Sequence, residues 1–233
     1  MTVQGFRHEP YDWRGQTEWM FSLGASEGPQ AIILPPLFEE MNFTRAFIVD
    51  IARGLAAAGI GSWLPDLPGT GESLRDLATI GWDDWRDAAH GIGETIMALT
   101  DSRPHVVALR GGALLADAIE GRSWWSFAPA SGASLLRQLQ RTQIVTDRDR
   151  KQAEPSDPER ISIYAGYPIS AAMRTGLTGA EIPVLPSPHR AAPAELLDDR
   201  AKLWRRAEPG RDPELAAKLA DDIAHWIATC ERH

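Results

Sequence analysis

Cysteine is nearly absent from this chain of 233 residues, which contains Cys230 and no other. A single cysteine excludes an internal disulfide and is typical of a reducing compartment. No apolar run approaches the roughly 20 residues that a membrane-spanning helix needs. The first ten residues also lack a basic patch followed by an apolar segment, the pattern of a secretory signal. We therefore expect a soluble, cytoplasmic protein without a membrane span.

Basic residues are in the minority, with 24 Lys and Arg against 32 Asp and Glu and a formal net charge of -8. This balance argues against general binding to nucleic acid, which requires a basic surface to displace counterions from phosphates. The six histidines include no pair at the i, i+4 spacing of a helical metal site. We therefore expect no metal and no cofactor.

The glycine-containing segment PGTGES lacks the lysine followed by serine or threonine that completes a Walker phosphate loop. It is more typical of a turn between a strand and a helix. Its presence therefore gives no support to a nucleotide site.

The composition is that of a globular protein, with 43% hydrophobic and 24% charged residues. A length of this size suits one layered domain spanning residues 1–233, in which residues 130–160 are a possible reduced cap or mobile segment. The charged run within it, TDRDRKQAEPSDPER, is interpreted as a solvated helix end and loop, with a mobile cover over the site as the alternative.

Strand and helix patterns alternate along the first half of the chain. Alternating residues predict a strand at 17–23, which turn residues join to a second strand at 31–34 as a hairpin. Apolar residues at helical spacing predict a helix through residues 47–55 that ends at Gly59. A strand at 60–64, a helix at about 81–99 and a strand at 106–109 follow. The pattern predicts an α/β fold, with a mostly parallel central sheet and helices on both faces.

The second half is less regular. Strands are predicted at 124–127 and 161–164, with a helix from about Ser134 between them. The segment EIPVLPSPHRAAP carries four prolines, which argues against a central strand there. Asp212 as N-cap, Pro213 at the first helical position and a helical apolar repeat predict a terminal amphipathic helix. Core packing is the simplest role for Trp82, Trp85 and Trp226, and one of Trp124 and Trp125 is a candidate to face a pocket.

Residues 105–117, HVVALRGGALLAD, form the most informative stretch, because they predict a strand, a sharp turn and a helix start. This is the pattern of a nucleophile elbow, in which small residues flank a strained serine above the sheet. Ala108, Gly111 and Gly112 supply the small neighbours. The apex is Arg110, which stays protonated at any accessible pH and cannot be acylated as a serine can.

Three loops follow predicted parallel strands and should converge at the carboxyl edge of the sheet: PPLFEEMN, PDLPGTGES and the turn RGG. Convergence would place one cation, Arg110, among polar and acidic side chains, of which the candidates are Glu39, Glu40, Asn42 and Asp66. Such a group is either a structural network of salt bridges or a ligand site. The ligand alternative includes Gly111, since backbone N–H groups that begin a helix favour a carboxylate or phosphate.

Catalytic candidates are weaker. Adjacent Glu39 and Glu40 cannot project the same way from an extended segment, so a paired-carboxylate mechanism is poorly supported. Ser131 is the hydroxyl to test as a displaced nucleophile, although Ser131 or Ser134 is better explained as the cap of the helix that follows. His189 occupies the region where a hydrolase histidine would follow the last strand, but an ordinary loop histidine is the simpler interpretation. Acid candidates precede it at Asp147, Asp149 and Asp157.

Five segments, taken together, resemble the second class of exosortase A system-associated hydrolases, a branch of the α/β-hydrolase superfamily encoded with bacterial exopolysaccharide and protein-sorting genes. The resemblance covers roughly residues 28–180 and rests on PPLFEEMNFTR, WLPDLPGTGES, LRGGALLAD, FAPASGASLLRQLQR and AGYPIS. Members of that class also tend to carry a leucine-arginine pair at the elbow, so the resemblance implies that Arg110 is a family trait. It also implies an α/β-hydrolase fold with a small or absent lid, although fold alone is a poor guide to chemistry.

Three functions follow as hypotheses. The leading one is a protein without a serine mechanism that binds a small anionic or acyl-bearing ligand around Arg110, in an exopolysaccharide context. The second is an ester or thioester hydrolase or acyltransferase with a relocated nucleophile such as Ser131. The third is an interaction module that only displays surface loops.

Overall fold

The computed structural model describes residues 5–147, 161–197, 204 and 210–232. Its strands are β1 (Arg7–Trp13), β2 (Gln16–Leu23), β3 (Gln30–Leu34), β4 (Gly61–Pro65), β5 (His105–Leu109), β6 (Ser123–Phe127), β7 (Ser162–Tyr164), β8 (Tyr167–Ile169) and β9 (His189–Ala191). Its α-helices are α1 (Glu39–Ala57), α2 (Trp82–Thr100), α3 (Gly132–Asp147), α4 (Ala171–Gly179) and α5 (Pro213–Glu231), and 3₁₀ turns span Leu77–Thr79, Arg110–Ala118 and Ala194–Leu197.

Seven strands form the central sheet in the order β1-β2-β4-β3-β5-β6-β9. The contacts among β4, β3, β5, β6 and β9 are parallel, whereas β1 and β2 are antiparallel to their neighbours. Helices α1 and α5 cover one face with the cluster around Ile51 and Leu219. Helices α2, α3 and α4 cover the other with the cluster around Trp85 and Leu135. The predicted three-layer arrangement is confirmed.

The predicted hairpin between residues 17–23 and 31–34 is wrong. Strand β2 forms a hairpin with β1, through a turn in which Arg14 and Gly15 both have positive φ, and its other neighbour is β4. Strand β3 lies between β4 and β5 instead. All five residues of β3 are buried, which is typical of a central strand with both faces covered.

The predicted helices are present, and one of them begins earlier than expected, whereas α4 was not predicted. Helix α1 begins at Glu39, well before the predicted start, so half of the expected loop PPLFEEMN is helical. Helix α2 carries Asp83 and Asp84 in its first turn as predicted. Helix α5 begins as predicted, because the Asp212 side chain accepts a hydrogen bond from the Leu215 N–H at 3.0 Å.

Close contact between α1 and α5 depends on Gly54. A Cβ atom at that position would lie 2.5 Å from the Cβ of Ala220. Two real Cβ atoms do not come this close. The backbone of α1 at Gly54 therefore packs directly against the Ala220 side chain of α5.

The second half departs from the simplest expectation in two places. Strand β7 appears where a strand was predicted, but it pairs with β8 in a separate two-stranded sheet. The proline-rich segment contributes β9, a three-residue strand at the edge of the sheet, which fits the argument against a central strand. Most of the charged run, including Asp149 and Asp157, lies outside the described residues.

The tryptophans of the two faces are mainly core residues. Trp82 and Trp85 are buried as expected, and Trp226 is half-buried against the α5 cluster. Trp124 and Trp125 point to opposite faces of β6 and are both buried, donating from Nε1 to the Ala116 carbonyl and to Asp222 respectively. Both side chains are thus packed within the core. No helix in the described part of the chain is long and apolar enough to cross a membrane.

Candidate functional site

The elbow predicted at the end of β5 is present, with Arg110 at its apex. Arg110 has a φ of 52°, a left-handed conformation that is uncommon for a residue with a side chain. A Cβ atom at Gly112 would lie 2.5 Å from the carbonyl oxygens of Leu34 and Pro35. The turn therefore needs a glycine there and holds its apex residue strained, as a nucleophile elbow holds its serine.

The Arg110 guanidinium is bound from three directions. Its Nε and Nη2 donate to the two carboxylate oxygens of Glu40 at 3.1 and 3.0 Å, and Nη1 donates to the carbonyl of Ala128 at 2.9 Å. Its Cζ lies 4.5 Å from the ring centroid of Trp204, within cation–π range. The Glu40 side chain is 3% exposed and that of Arg110 is 14% exposed. The positive charge is thus neutralised inside the fold.

The early start of α1 explains how Glu40 reaches the elbow. Phe38, the residue before the helix, has a φ of 58°, and Glu39 and Glu40 occupy the first turn. Successive helical residues point about 100° apart, so the two carboxylates diverge. Glu40 contacts Arg110, whereas Glu39 lies near Tyr167, whose pKa is raised by burial and, to a lesser extent, by the Glu39 charge.

Asn42 contacts Tyr167, the residue that Glu39 also lies near. Its Nδ2 donates to the hydroxyl oxygen of Tyr167 at 2.7 Å. Tyr167 is the first residue of β8 and packs edge to face on Phe38. Asn42 therefore ties α1 to the two-stranded β7–β8 sheet.

Asp66 has a different partner from the other acids. Arg45 donates to its two carboxylate oxygens at 3.1 and 3.5 Å, and the Glu72 N–H donates to it at 3.0 Å. The Asp66 side chain is 5% exposed. A second buried carboxylate is thus paired with a second arginine.

The expectation that one cation faces several acids is therefore wrong. The candidate residues divide into the Glu40–Arg110 pair, the Asn42–Tyr167 contact and the Asp66–Arg45 pair. The strand order explains this division, because β3 separates the loops that follow β4 and β5. Gly111 remains beside Arg110 at the start of the 3₁₀ turn, where it is buried.

Four partners were missed by sequence reasoning: Arg45, Tyr167, Trp204 and the Ala128 carbonyl. Arg45 was detectable, because extending the helical register backward from Phe47 and Ile48 places it on α1. The other three depend on contacts between segments distant along the chain, for which the sequence offers no local pattern.

Ser131 and His189 lie toward opposite ends of β6. Ser131 directly precedes α3, and its carbonyl accepts hydrogen bonds from the N–H groups of Ser134 and Leu135. His189 does not follow the last strand as expected; it opens β9, pairs with Trp124 and is exposed. The reason is that the last strand, β9, is formed by the proline-rich segment itself. Asp147 is the final residue of α3.

A serine-histidine-glutamate chain does occur at the amino end of the sheet. His105 Nδ1 hydrogen-bonds with the Ser123 hydroxyl at 2.8 Å, and its Nε2 with Glu231 at 3.0 Å. Ser123 is fully buried and His105 is 2% exposed, so no substrate reaches the hydroxyl. The chain ties the end of α5 to strands β5 and β6, and its role is structural. Among the described residues no group of three or more His, Cys, Asp or Glu side chains is placed to hold a metal.

Comparison with solved structures identifies the architecture. Est1E from Butyrivibrio proteoclasticus, with ferulic acid bound, superposes with a TM-score of 0.63 and 11% identity, covering 97% of this chain and 100% of that one. The chain has the α/β-hydrolase fold. DcsB in complex with its substrate analogue gives a TM-score of 0.58 at 14% identity, covering 97% and 99% of the two chains. The thioesterase domain from the curacin biosynthetic pathway gives 0.53 at 17%, covering 97% and 100%.

No protein-family model and no curated protein matches the sequence. At these identities the structural similarity establishes the α/β-hydrolase fold and not the reaction. The position of the elbow after β5, at the carboxyl edge of the parallel strands, is where working sites of open α/β sheets lie.

Proposed function

We propose that this protein is a non-hydrolytic protein of the α/β-hydrolase fold that binds a small acyl-bearing molecule at the elbow. The observation that carries the proposal is Arg110 at the left-handed apex with its guanidinium held by Glu40. A guanidinium remains protonated and offers no lone pair for attack on a carbonyl. The elbow therefore retains the geometry of a nucleophile site without a nucleophile.

The charge balance favours an uncharged acyl group over a free anion. Glu40 already occupies two of the guanidinium donors, and the Ala128 carbonyl occupies a third. An incoming carboxylate would have to compete with the buried Glu40 carboxylate or lie beside it. An ester or thioester carbonyl carries no such repulsion.

We place the proposed site at Arg110 and Gly111, with the Asn42–Tyr167 contact as its outer boundary. Similar folds with bound small molecules support it: the Est1E structure contains ferulic acid and the DcsB structure a substrate analogue. The resemblance to exosortase A system-associated hydrolases suggests that the ligand belongs to exopolysaccharide export or protein sorting.

The first experiment asks whether any bond is broken. We expect no covalent labelling by a fluorophosphonate probe and no turnover of short p-nitrophenyl esters by the natural protein. The Ser131→Ala variant is the matched control. Labelling or turnover that disappears in Ser131→Ala would replace this proposal with a hydrolase or acyltransferase that uses a relocated nucleophile.

The second experiment asks whether acyl compounds bind. Unhydrolysed short-chain esters and thioesters titrated into labelled protein should shift NMR resonances of residues around Arg110 and Gly111. Tyr167→Phe removes the hydroxyl that faces Asn42 and should weaken binding several-fold, whereas the Val184→Ala control, at an exposed position, should not. Absence of binding to every ester and thioester would favour an interaction module instead.

A further inference from the structure

A second feature lies along α1, apart from the Glu40–Arg110 pair. A half-open cavity of about 220 Å³ is lined by residues of α1 and of strands β2, β3 and β4. Its walls are mainly apolar and include Phe21, Ile33, Ile48, Val49 and Leu64. Neither Arg110 nor Glu40 lines this cavity, so it is distinct from the proposed elbow site.

The two charged residues that line the cavity form one ion pair. Arg45 and Asp66 both line it, joined at 3.1 Å, and Arg45 also lies 5.6 Å from the ring centroid of Phe21. The Arg45 side chain is 41% exposed, whereas that of Asp66 is 5% exposed. The pair thus brings hydrogen-bonding groups to the cavity with a net charge of zero.

Arg45 retains donor capacity after pairing with Asp66. A guanidinium carries five N–H groups, and the two hydrogen bonds to Asp66 use two of them. A bound molecule with one oxygen acceptor can therefore hydrogen-bond to Arg45 while its apolar part fills the cavity. A charged group gains little there, since it would meet both Arg45 and the buried Asp66 carboxylate and lose its hydration.

The volume limits the size of the occupant. An apolar cavity of about 150 Å³ is large enough to bind benzene. By the same measure, this one has room for roughly eight to ten non-hydrogen atoms. We infer that the α1 cavity is a binding site for a small, uncharged, mainly apolar molecule with a single oxygen acceptor, such as a medium-chain alcohol. This site is independent of the function proposed for the elbow.

A matched ligand series tests the chemistry of the site. 1-Heptanol, heptanoate and heptylamine share one chain and differ in the charge of the head group. Calorimetric or NMR titration of the natural protein should give measurable binding of 1-heptanol, with heptanoate and heptylamine at least ten-fold weaker. Equal or tighter binding of either charged compound would overturn the argument from the Arg45–Asp66 pair, and failure of 1-heptanol to bind would overturn the site.

Matched variants test its location. Val49→Phe and Leu64→Phe each place an aromatic ring in the cavity and should weaken 1-heptanol binding at least ten-fold. Val184→Phe makes the same change as the first variant at a side chain that is 98% exposed, and binding should stay unchanged. The two cavity-filling variants lie on different elements, so the test stands if one of them fails to fold. Near-UV circular dichroism shows whether each variant is folded. Undiminished binding to a folded filling variant would contradict the assignment.

Discussion

At the scale of single residues, the elbow depends on one buried ion pair. Glu40 is 3% exposed, and its carboxylate accepts both hydrogen bonds of a bidentate contact with Arg110. Removing one partner of such a pair leaves the other charge buried without compensation, which typically costs about 3–5 kcal/mol. We therefore expect Glu40→Ala to lower the free energy of unfolding by about 3 kcal/mol or more, measured by urea denaturation.

The control for this prediction is Glu94→Ala, on the exposed surface of α2. Glu94 is 64% exposed and lies 3.6 Å from His90, so the change should stay within about 0.5 kcal/mol. Glu40→Gln keeps the shape of the side chain but not its charge, so its loss of unfolding free energy should lie between those of Glu40→Ala and Glu94→Ala. If Glu40→Ala were as stable as Glu94→Ala, water would have to solvate the Arg110 guanidinium well enough to replace the Glu40 carboxylate.

Some residues of the site could be predicted from the sequence and others could not. Arg110, Gly111 and Gly112 were predictable because the elbow is a local pattern with strict needs for small neighbours. Glu40 was also among the acidic candidates expected near Arg110. Asp66 was assigned to the wrong group, because the order of β4, β3 and β5 in the sheet is a long-range property that no segment encodes alone.

At the scale of elements, His105 fastens the end of α5 to the sheet. It contacts Ser123 on β6 and Glu231 on α5, and Arg122 pairs with the same glutamate at 2.8 Å. Burial lowers the pKa of His105 below its ordinary value of 6.5, while the hydrogen bond to Glu231 opposes this shift and the Arg122 charge adds to it. The folded protein therefore binds this proton less readily than the unfolded chain.

The sign of the pH effect follows from that difference. Between the lowered pKa and 6.5 the unfolded chain holds more protons at this site, so stability rises with pH and is lost as pH falls through the window. The slope contributed by one group is at most about 1.4 kcal/mol per pH unit. We expect urea denaturation at pH 7.5, 6.5 and 5.5 to show this loss, and His105→Gln to remove that component.

His90→Gln is the matched control, because His90 is 58% exposed on α2. It should not remove the component of the pH profile that His105→Gln removes. If the profiles of His105→Gln and the natural protein coincide, proton binding at His105 is not linked to folding.

At the scale of the whole molecule, the sequence predicted the layers better than the pairing of strands. The buried runs of β3, β5 and β6 and the helical repeats of α1, α2 and α5 are local signals, and they specify a covered parallel sheet. Strand β1 gave no such signal, since RHEPYDW carries charges and a proline and has one buried residue, Tyr11. Its partner β2 was consequently assigned to the wrong neighbour.

The two apolar clusters share one sheet, and this predicts a single cooperative unfolding transition. Ile92 on α2 and Leu219 on α5 are fully buried on opposite faces. Truncation of such a side chain to alanine costs about 2–5 kcal/mol, through lost burial and the cavity left behind. Ile92→Ala and Leu219→Ala should each lower stability by that amount, whereas Leu74→Ala, at a side chain 93% exposed, should change it by less than about 0.5 kcal/mol.

The cooperative character is tested by two probes of the same samples. Tryptophan fluorescence reports tertiary packing, since Trp85 and Trp125 lie in different clusters, and far-ultraviolet circular dichroism reports the helices. Because β3, β5 and β6 contribute residues to both clusters, loss of packing on one face removes support from the other. The two probes should therefore give coincident transitions in both variants. Separate transitions in Leu219→Ala would instead show that α1 and α5 detach while the α2 face stays folded.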